Sequence, residues 1–147
     1  MSAPRKKKKL SRFTYNLMIT VDCGISGIEE IDYANSRGLQ TIVTDHHEPG
    51  ETLPNALAIV DAKRKDSEYP FNQLAGVGVV FKLIQALGIK YGLDEKEYLK
   101  YLDLVCVGTI SDIVPLVDEN RVIAKLGLKL VEITQNIKLT HSVGAMP

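Results

Sequence analysis

Asp45, His46 and His47 follow one another without interruption, and they include two of the three histidines in the chain. A carboxylate beside two imidazoles offers hard oxygen and borderline nitrogen donors, a set that suits a hydrolytic divalent cation. Two further carboxylates stand out against apolar surroundings. Asp22 closes Asn16-Leu17-Met18-Ile19-Thr20-Val21, and Asp112 is the lone acid of Gly108-Thr109-Ile110-Ser111-Asp112-Ile113-Val114-Pro115-Leu116. Taken as ligands, Asp22, His46 and Asp112 would favour Mn²⁺ or Mg²⁺ over a structural zinc site, which normally recruits thiolates. Two such ions about 3.5–4 Å apart activate water and stabilise an in-line displacement at phosphorus. His47 would lie beside the metal and meet a phosphate oxygen, and Asp45 would hold one imidazole in its tautomer. Each residue also has an ordinary reading. Asp22 can satisfy backbone N–H groups, His46 and His47 can be plain surface or core histidines, and Asp112 can be a turn carboxylate ahead of Pro115.

The elements around these residues are what would bring them together. Residues 16–22 read as a strand ending on Asp22. Ser26-Gly27-Ile28-Glu29 has the form of a capping box, which would open a helix turning Ile28, Ile31 and Ala34 toward a sheet and stopping at Gly38. Leu39-Gln40-Thr41-Ile42-Val43-Thr44, β-branched and apolar, reads as a second, buried strand. A strand, a helix and a strand this close in sequence form a right-handed crossover with parallel strands. That topology puts Asp22 and the Asp45-His46-His47 cluster on one edge of the sheet, beyond the carboxyl ends of the strands, where ligands bind in open α/β sheets. Ala56–Asp61 reads as a third strand and Leu74–Tyr91 as a buried helix stopped by Gly92. Asp94-Glu95-Lys96-Glu97 is a second capping-box pattern, opening a helix through about Val107, and Glu119 to about Ile137 reads as a closing amphipathic helix.

A length of 147 residues fits one domain with a core of its own. No apolar run approaches the ~20 residues that span a bilayer, and the basic N-terminus has no apolar stretch behind it, so neither a membrane anchor nor a secretory signal is expected. Cys23 and Cys106 are too few and too far apart for a disulfide framework. Both read as small reduced core residues of a cytoplasmic protein. The net charge of zero hides an asymmetry. Residues 1–12 hold six basic residues and no acid, which leaves twelve basic against eighteen acidic residues in the remainder, a net −6. The expected organisation is a basic, disordered arm over 1–14, an α/β domain over 15–139 and a frayed tail over 140–147. The arm has the charge to touch nucleic acid, and is equally readable as a solvated tail.

Three stretches together carry a resemblance. Val21-Asp22-Cys23-Gly24-Ile25-Ser26, Thr44-Asp45-His46-His47-Glu48-Pro49 and Gly108–Leu116 resemble the second, third and fourth motifs of the DHH phosphoesterases, in order and at fitting intervals. Leu74–Leu83 is similar to that family's helix between the third and fourth motifs and Asn120–Ile123 to the start of the helix that follows, so the resemblance covers about residues 16–139. It implies a three-layer α/β fold with a parallel sheet and a second, substrate-holding domain. It also implies Mn²⁺ (or Mg²⁺) bound by Asp22, His46 and Asp112, with His47 approaching the scissile phosphate. Within the family the motifs look most like those of the single-stranded-DNA-specific 5′→3′ exonucleases of recombination and repair, with single-stranded DNA as partner. The family's first motif, an Asp-x-Asp element, has no counterpart before Asp22, so the chain is expected to be a truncated form, incomplete at its N-terminus. Two other readings stay open: a relative that cleaves pyrophosphate or small nucleotides, and an inactive remnant or interaction module.

Overall fold

A computed structural model describes residues 15–134. The arm over 1–14, the tail over 140–147 and the last residues of the expected closing helix lie outside the described residues.

The order of elements is β1 (Leu17–Val21), α1 (Ile28–Ser36), β2 (Gln40–Thr44), β3 (Ala58–Val60), α2 (Gly76–Tyr91), α3 (Lys96–Leu99), α4 (Leu102–Ser111) and α5 (Asp118–Val131). The strands form one sheet in the order β1-β2-β3, and both pairings are parallel. β2 is the central strand. Its Thr41, Val43 and Thr44 are fully buried, as expected of a parallel strand covered on both faces. The register aligns Val21 with Thr44 and Thr44 with Val60. The next residue on each strand is therefore an aspartate, and Asp22, Asp45 and Asp61 stand side by side along one edge. Two hydrogen bonds extend the ladder past the strands, from the Asp22 N–H to the Thr44 carbonyl (3.0 Å) and from the Asp45 N–H to the Val60 carbonyl (3.1 Å).

The remaining helices build the core and carry Asp112. Phe71, Leu74, Val79, Phe81, Leu102, Val105 and Ile123 form one buried cluster, which joins α2, α4 and α5. Gly108 lets α4 lie close to α2, since a Cβ there would stand 2.8 Å from Val77 Cγ1. Asn120, at the start of α5, is fully buried. Its amide donates to the Gln73 carbonyl (2.6 Å) and the Pro115 carbonyl (3.0 Å), tying the approach to α2 to the turn that follows Asp112.

Several sequence expectations need correction. α1 starts at Ile28 with Gly27 as its cap and no side-chain cap bond, so Ser26 and Glu29 do not form the box. Ile25 is drawn in to bond Asp45, and the helix opens only after that anchored loop. The single helix expected to reach Val107 is two, α3 and α4, broken at Lys100–Tyr101. Glu97 pairs with Lys100 rather than reaching back to Asp94, although the Asp94 carboxylate does accept the Lys96 N–H (2.9 Å). The third strand is shorter than Ala56–Asp61. Cys106 is buried as expected, but Cys23 is exposed, because it belongs to the turn leading out of β1 and not to the core.

Candidate metal centre

Asp45 organises the local chain. Its side chain is fully buried, and its two oxygens have separate duties. Oδ2 accepts the Ile25 N–H (2.9 Å), which fixes the turn after β1. Oδ1 accepts the backbone N–H groups of His46 (2.8 Å) and His47 (3.3 Å) and meets His47 Nδ1 at 2.7 Å. Burial pushes this carboxyl up, but the bonds from Ile25, the His47 ring and the two following amides outweigh it and hold the group below the ordinary carboxylate range. The same contact raises the His47 imidazole above its ordinary value, with the hydrogen bond to Asp45 as the main cause. His47 is thus held by Nδ1 and keeps Nε2 as its free ring nitrogen, on a side chain 60 % exposed.

His46 packs its ring against that of His47, centroids 4.4 Å apart, but turns its Nε2 to other partners. Its side chain is 12 % exposed, and Nε2 stands 3.0 Å from Asp22 Oδ1 and 3.5 Å from Asp112 Oδ2. Despite these distances Nε2 has no partner with hydrogen-bond geometry among the described residues. A buried ring nitrogen facing two carboxylate oxygens without bonding either has the donor arrangement of a cation site. One ligand atom each from Asp22, His46 and His47 all lie within 4.8 Å of one another. Asp22 is held just past β1 at φ +61°, with its N–H on Thr44, and Asp112 caps the C-terminal end of α4. Among the described residues neither carboxylate forms an ion pair with a lysine or arginine, so the cluster's negative charge has no resident cation. The residues present fit a divalent ion. An open groove of about 390 Å³ adjoins the cluster, lined by Asp22, Ala75, Gly76, Gly108, Ser111 and Asp112.

The structure thus brings Asp22, His46 and Asp112 together, sets His47 beside them and puts Asp45 behind His47. Sequence reasoning passed over Asp61. It is buried, its Oδ1 accepts the Lys63 N–H (2.9 Å), and its Oδ2 has no partner. Burial raises its pKa, and the nearby Asp45 charge adds to the effect. The available signal was positional: Asp61 ends the third strand as Asp22 ends the first.

A parallel α/β sheet with a carboxylate–imidazole cluster at the carboxyl ends of its strands defines the class. Residues 2–109 match the DHH family, N-terminal domain, and the chain belongs to that family. The chain is 50 % identical over 129 residues to the single-stranded-DNA-specific exonuclease RecJ of Bacillus subtilis, a match covering 88 % of this chain and 16 % of that protein. It is 41 % identical over 124 residues to the enzyme of the same name from Escherichia coli, covering 78 % of this chain and 22 % of the relative. Among solved structures, RecJ of Thermus thermophilus in complex with Mn²⁺ superposes with a TM-score of 0.73 at 37 % identity, over 89 % of this chain and 20 % of that one. The same protein in complex with Mg²⁺ gives a TM-score of 0.60 at 32 % identity, over 89 % of this chain and 17 % of that one. This chain therefore spans about a fifth of the length of these relatives.

Proposed function

We propose that this chain carries metal-holding machinery of a RecJ-type enzyme, a Mn²⁺- or Mg²⁺-dependent phosphodiesterase that removes nucleotides from single-stranded DNA in the 5′→3′ direction. The cellular setting of this proposal is cytoplasmic DNA recombination and repair. The observation that carries it is the unpartnered His46 Nε2 facing Asp22 and Asp112. The naming of the relatives as single-stranded-DNA-specific exonucleases, and the Mn²⁺ and Mg²⁺ in their structures, supply the substrate class and the ions.

In this reading Asp22, His46 and Asp112 hold the ion. When bound, it supplies Lewis-acid stabilisation of charge on phosphorus and lowers the pKa of a coordinated water. His47 is the catalytic residue that touches substrate. Its raised pKa keeps more of the imidazole protonated near neutrality, so Nε2 can donate a charge-assisted hydrogen bond to a phosphate oxygen. Asp45 is a positioning residue. It fixes the His47 ring through Nδ1 and, by binding the Ile25 N–H, ties the turn after Asp22 to the end of β2.

The test is a chimera in which residues 16–139 of this chain replace the matching segment of the Bacillus subtilis relative. It should release nucleotides from 5′-phosphorylated single-stranded DNA in Mn²⁺ and spare duplex DNA, and His47→Ala in the chimera should abolish release. A folded chimera that binds Mn²⁺ but is inert on single-stranded DNA would count against the nuclease reading. It would favour a small-nucleotide substrate or an interaction module.

A further inference from the structure

We infer that Gly76 is a positioning residue for the metal centre, holding open the space that the Asp22 carboxylate occupies. The inference rests on the metal reading above. Gly76 is the first residue of α2, is buried, and has no positive φ, so its backbone does not require glycine. What requires glycine is space. A Cβ at position 76 would stand 2.1 Å from Asp22 Oδ1, 2.8 Å from its Cγ and 2.9 Å from its Cβ. Turning the carboxyl group about its last bond relieves only the first of these contacts, a change of rotamer about Cα–Cβ relieves the second, and the third, between the two Cβ atoms, yields only to a small shift of the start of α2. The backbone of Asp22 has little freedom to follow, because its N–H is bonded to Thr44 and its φ of +61° lies in a narrow well. Oδ1 is the atom that faces His46 Nε2 at 3.0 Å. A Cβ at 76 therefore displaces a ligand atom of the cluster, and the three atoms nearest to it all belong to Asp22.

The same geometry predicts that the fold survives. The Asp22 side chain is 56 % exposed, so its carboxyl has solvent to swing into, the contact left between the two Cβ atoms asks only for a small shift at the first residue of α2, and alanine is a better helix former than glycine. Gly78, two residues on, provides the control. A Cβ there would meet the end of the Leu74 side chain at 3.2 Å and does not approach Asp22.

The experiment titrates MnCl₂ into the 147-residue chain by calorimetry and by the electron paramagnetic resonance signal of free Mn²⁺. Circular dichroism monitors the fold. Wild type and Gly78→Ala should bind alike. Gly76→Ala should keep its fold and bind at least ~10-fold more weakly, and His46→Ala should lose binding. Unchanged Mn²⁺ affinity in Gly76→Ala, alongside loss in His46→Ala, would overturn the inference and leave the metal reading standing. No Mn²⁺ binding by wild type would overturn both. Should Gly76→Ala not fold alone, Asp22→Gly relieves it, since glycine accepts φ +61° and removes the three atoms nearest the new Cβ. Gly76→Ala should then be tolerated in the Asp22→Gly background, and equal damage in both backgrounds would refute the proposed contact.

Discussion

Replacing Asp45 with asparagine keeps the shape of the side chain and changes only what its two ends can accept. The carboxylate takes one donor on Oδ2 and three on Oδ1. An amide has a single oxygen. In its better orientation that oxygen serves His46 and His47, and the NH₂ then opposes the Ile25 N–H across 2.9 Å. The buried Ile25 N–H is left unsatisfied, at a cost of about 1–3 kcal/mol, and the bonds retained lose their charge assistance. The expected loss is ~2–4 kcal/mol at pH 6, and the pH dependence is signed. Asp45 lies below its ordinary 3.8 in the folded chain, so its contribution is complete above 3.8 and is lost as pH falls through the lower folded value. His47 lies above its ordinary 6.5, so its contribution is complete below 6.5 and is lost as pH rises through the higher folded value. Urea unfolding of wild type and Asp45→Asn with EDTA, from pH 3 to 9, should therefore show a stability gap widest between about pH 4 and 6.5, narrowing on both sides. A gap below about 0.5 kcal/mol, or one independent of pH, would refute the role assigned to Asp45.

Mn²⁺ at a hundredfold excess over Kd should raise the stability of the chain by about 2.7 kcal/mol, read as a rise in Tm, and Asp112→Asn should demand more metal for the same rise. Equal metal-induced shifts in wild type and His46→Ala would remove His46 from the ligand set. Asp61 is a buried carboxyl whose folded pKa is raised, so the folded state holds its proton longer than the unfolded state, and stability falls as pH rises above 3.8. Asp61→Asn should consequently stabilise the metal-free chain at pH 7, by up to ~1 kcal/mol, and thermal unfolding that shows a loss instead would mean the carboxylate has a partner worth keeping.

The parallel crossover was legible because each of its parts has a local cause: the β-branched run of β2, the 3–4 residue spacing of Ile28, Ile31 and Ala34, and the stop at Gly38. Once the strands are parallel, Asp22 and Asp45 must share an edge, and that much of the site follows from topology. Asp112 did not follow. Nothing in Gly108–Leu116 tells that α4 runs on to Ser111 and delivers Asp112 from a helix end. That depends on the close crossing of α2 and α4 at Gly108 and on Asn120 fastening the turn from the far side. The division of labour between the histidines was equally hidden. The two rings pack against each other, and which of them meets Asp45 is decided by the backbone of the loop. The failed capping box at Ser26 has the same origin, since Ile25 is committed to Asp45 before the helix can begin.

The cluster is built at the expense of local stability in three places. Asp22 sits at φ +61° and Ile113, beside Asp112, at φ +57°. Both lie in the left-handed region, and the second is a β-branched residue 89 % exposed, with little packing to compensate it. Asp112 caps the C-terminal end of α4, where the free carbonyls carry partial negative charge and a lysine or asparagine would suit better. Asp22 and Asp112 then approach the same imidazole nitrogen without a lysine or arginine between them. Selection for the fold alone would favour glycine at 22 and 113 and a neutral or basic residue at 112. A divalent cation held there would reverse the preferences at 22 and 112. It would neutralise both carboxylates, complement the α4 terminus and occupy the lone pair of His46 Nε2. Strain on two of its backbone approaches, an uncompensated charge pair and an unbonded buried nitrogen are separate local costs, and one bound ion would account for the charge, the helix end and the nitrogen together.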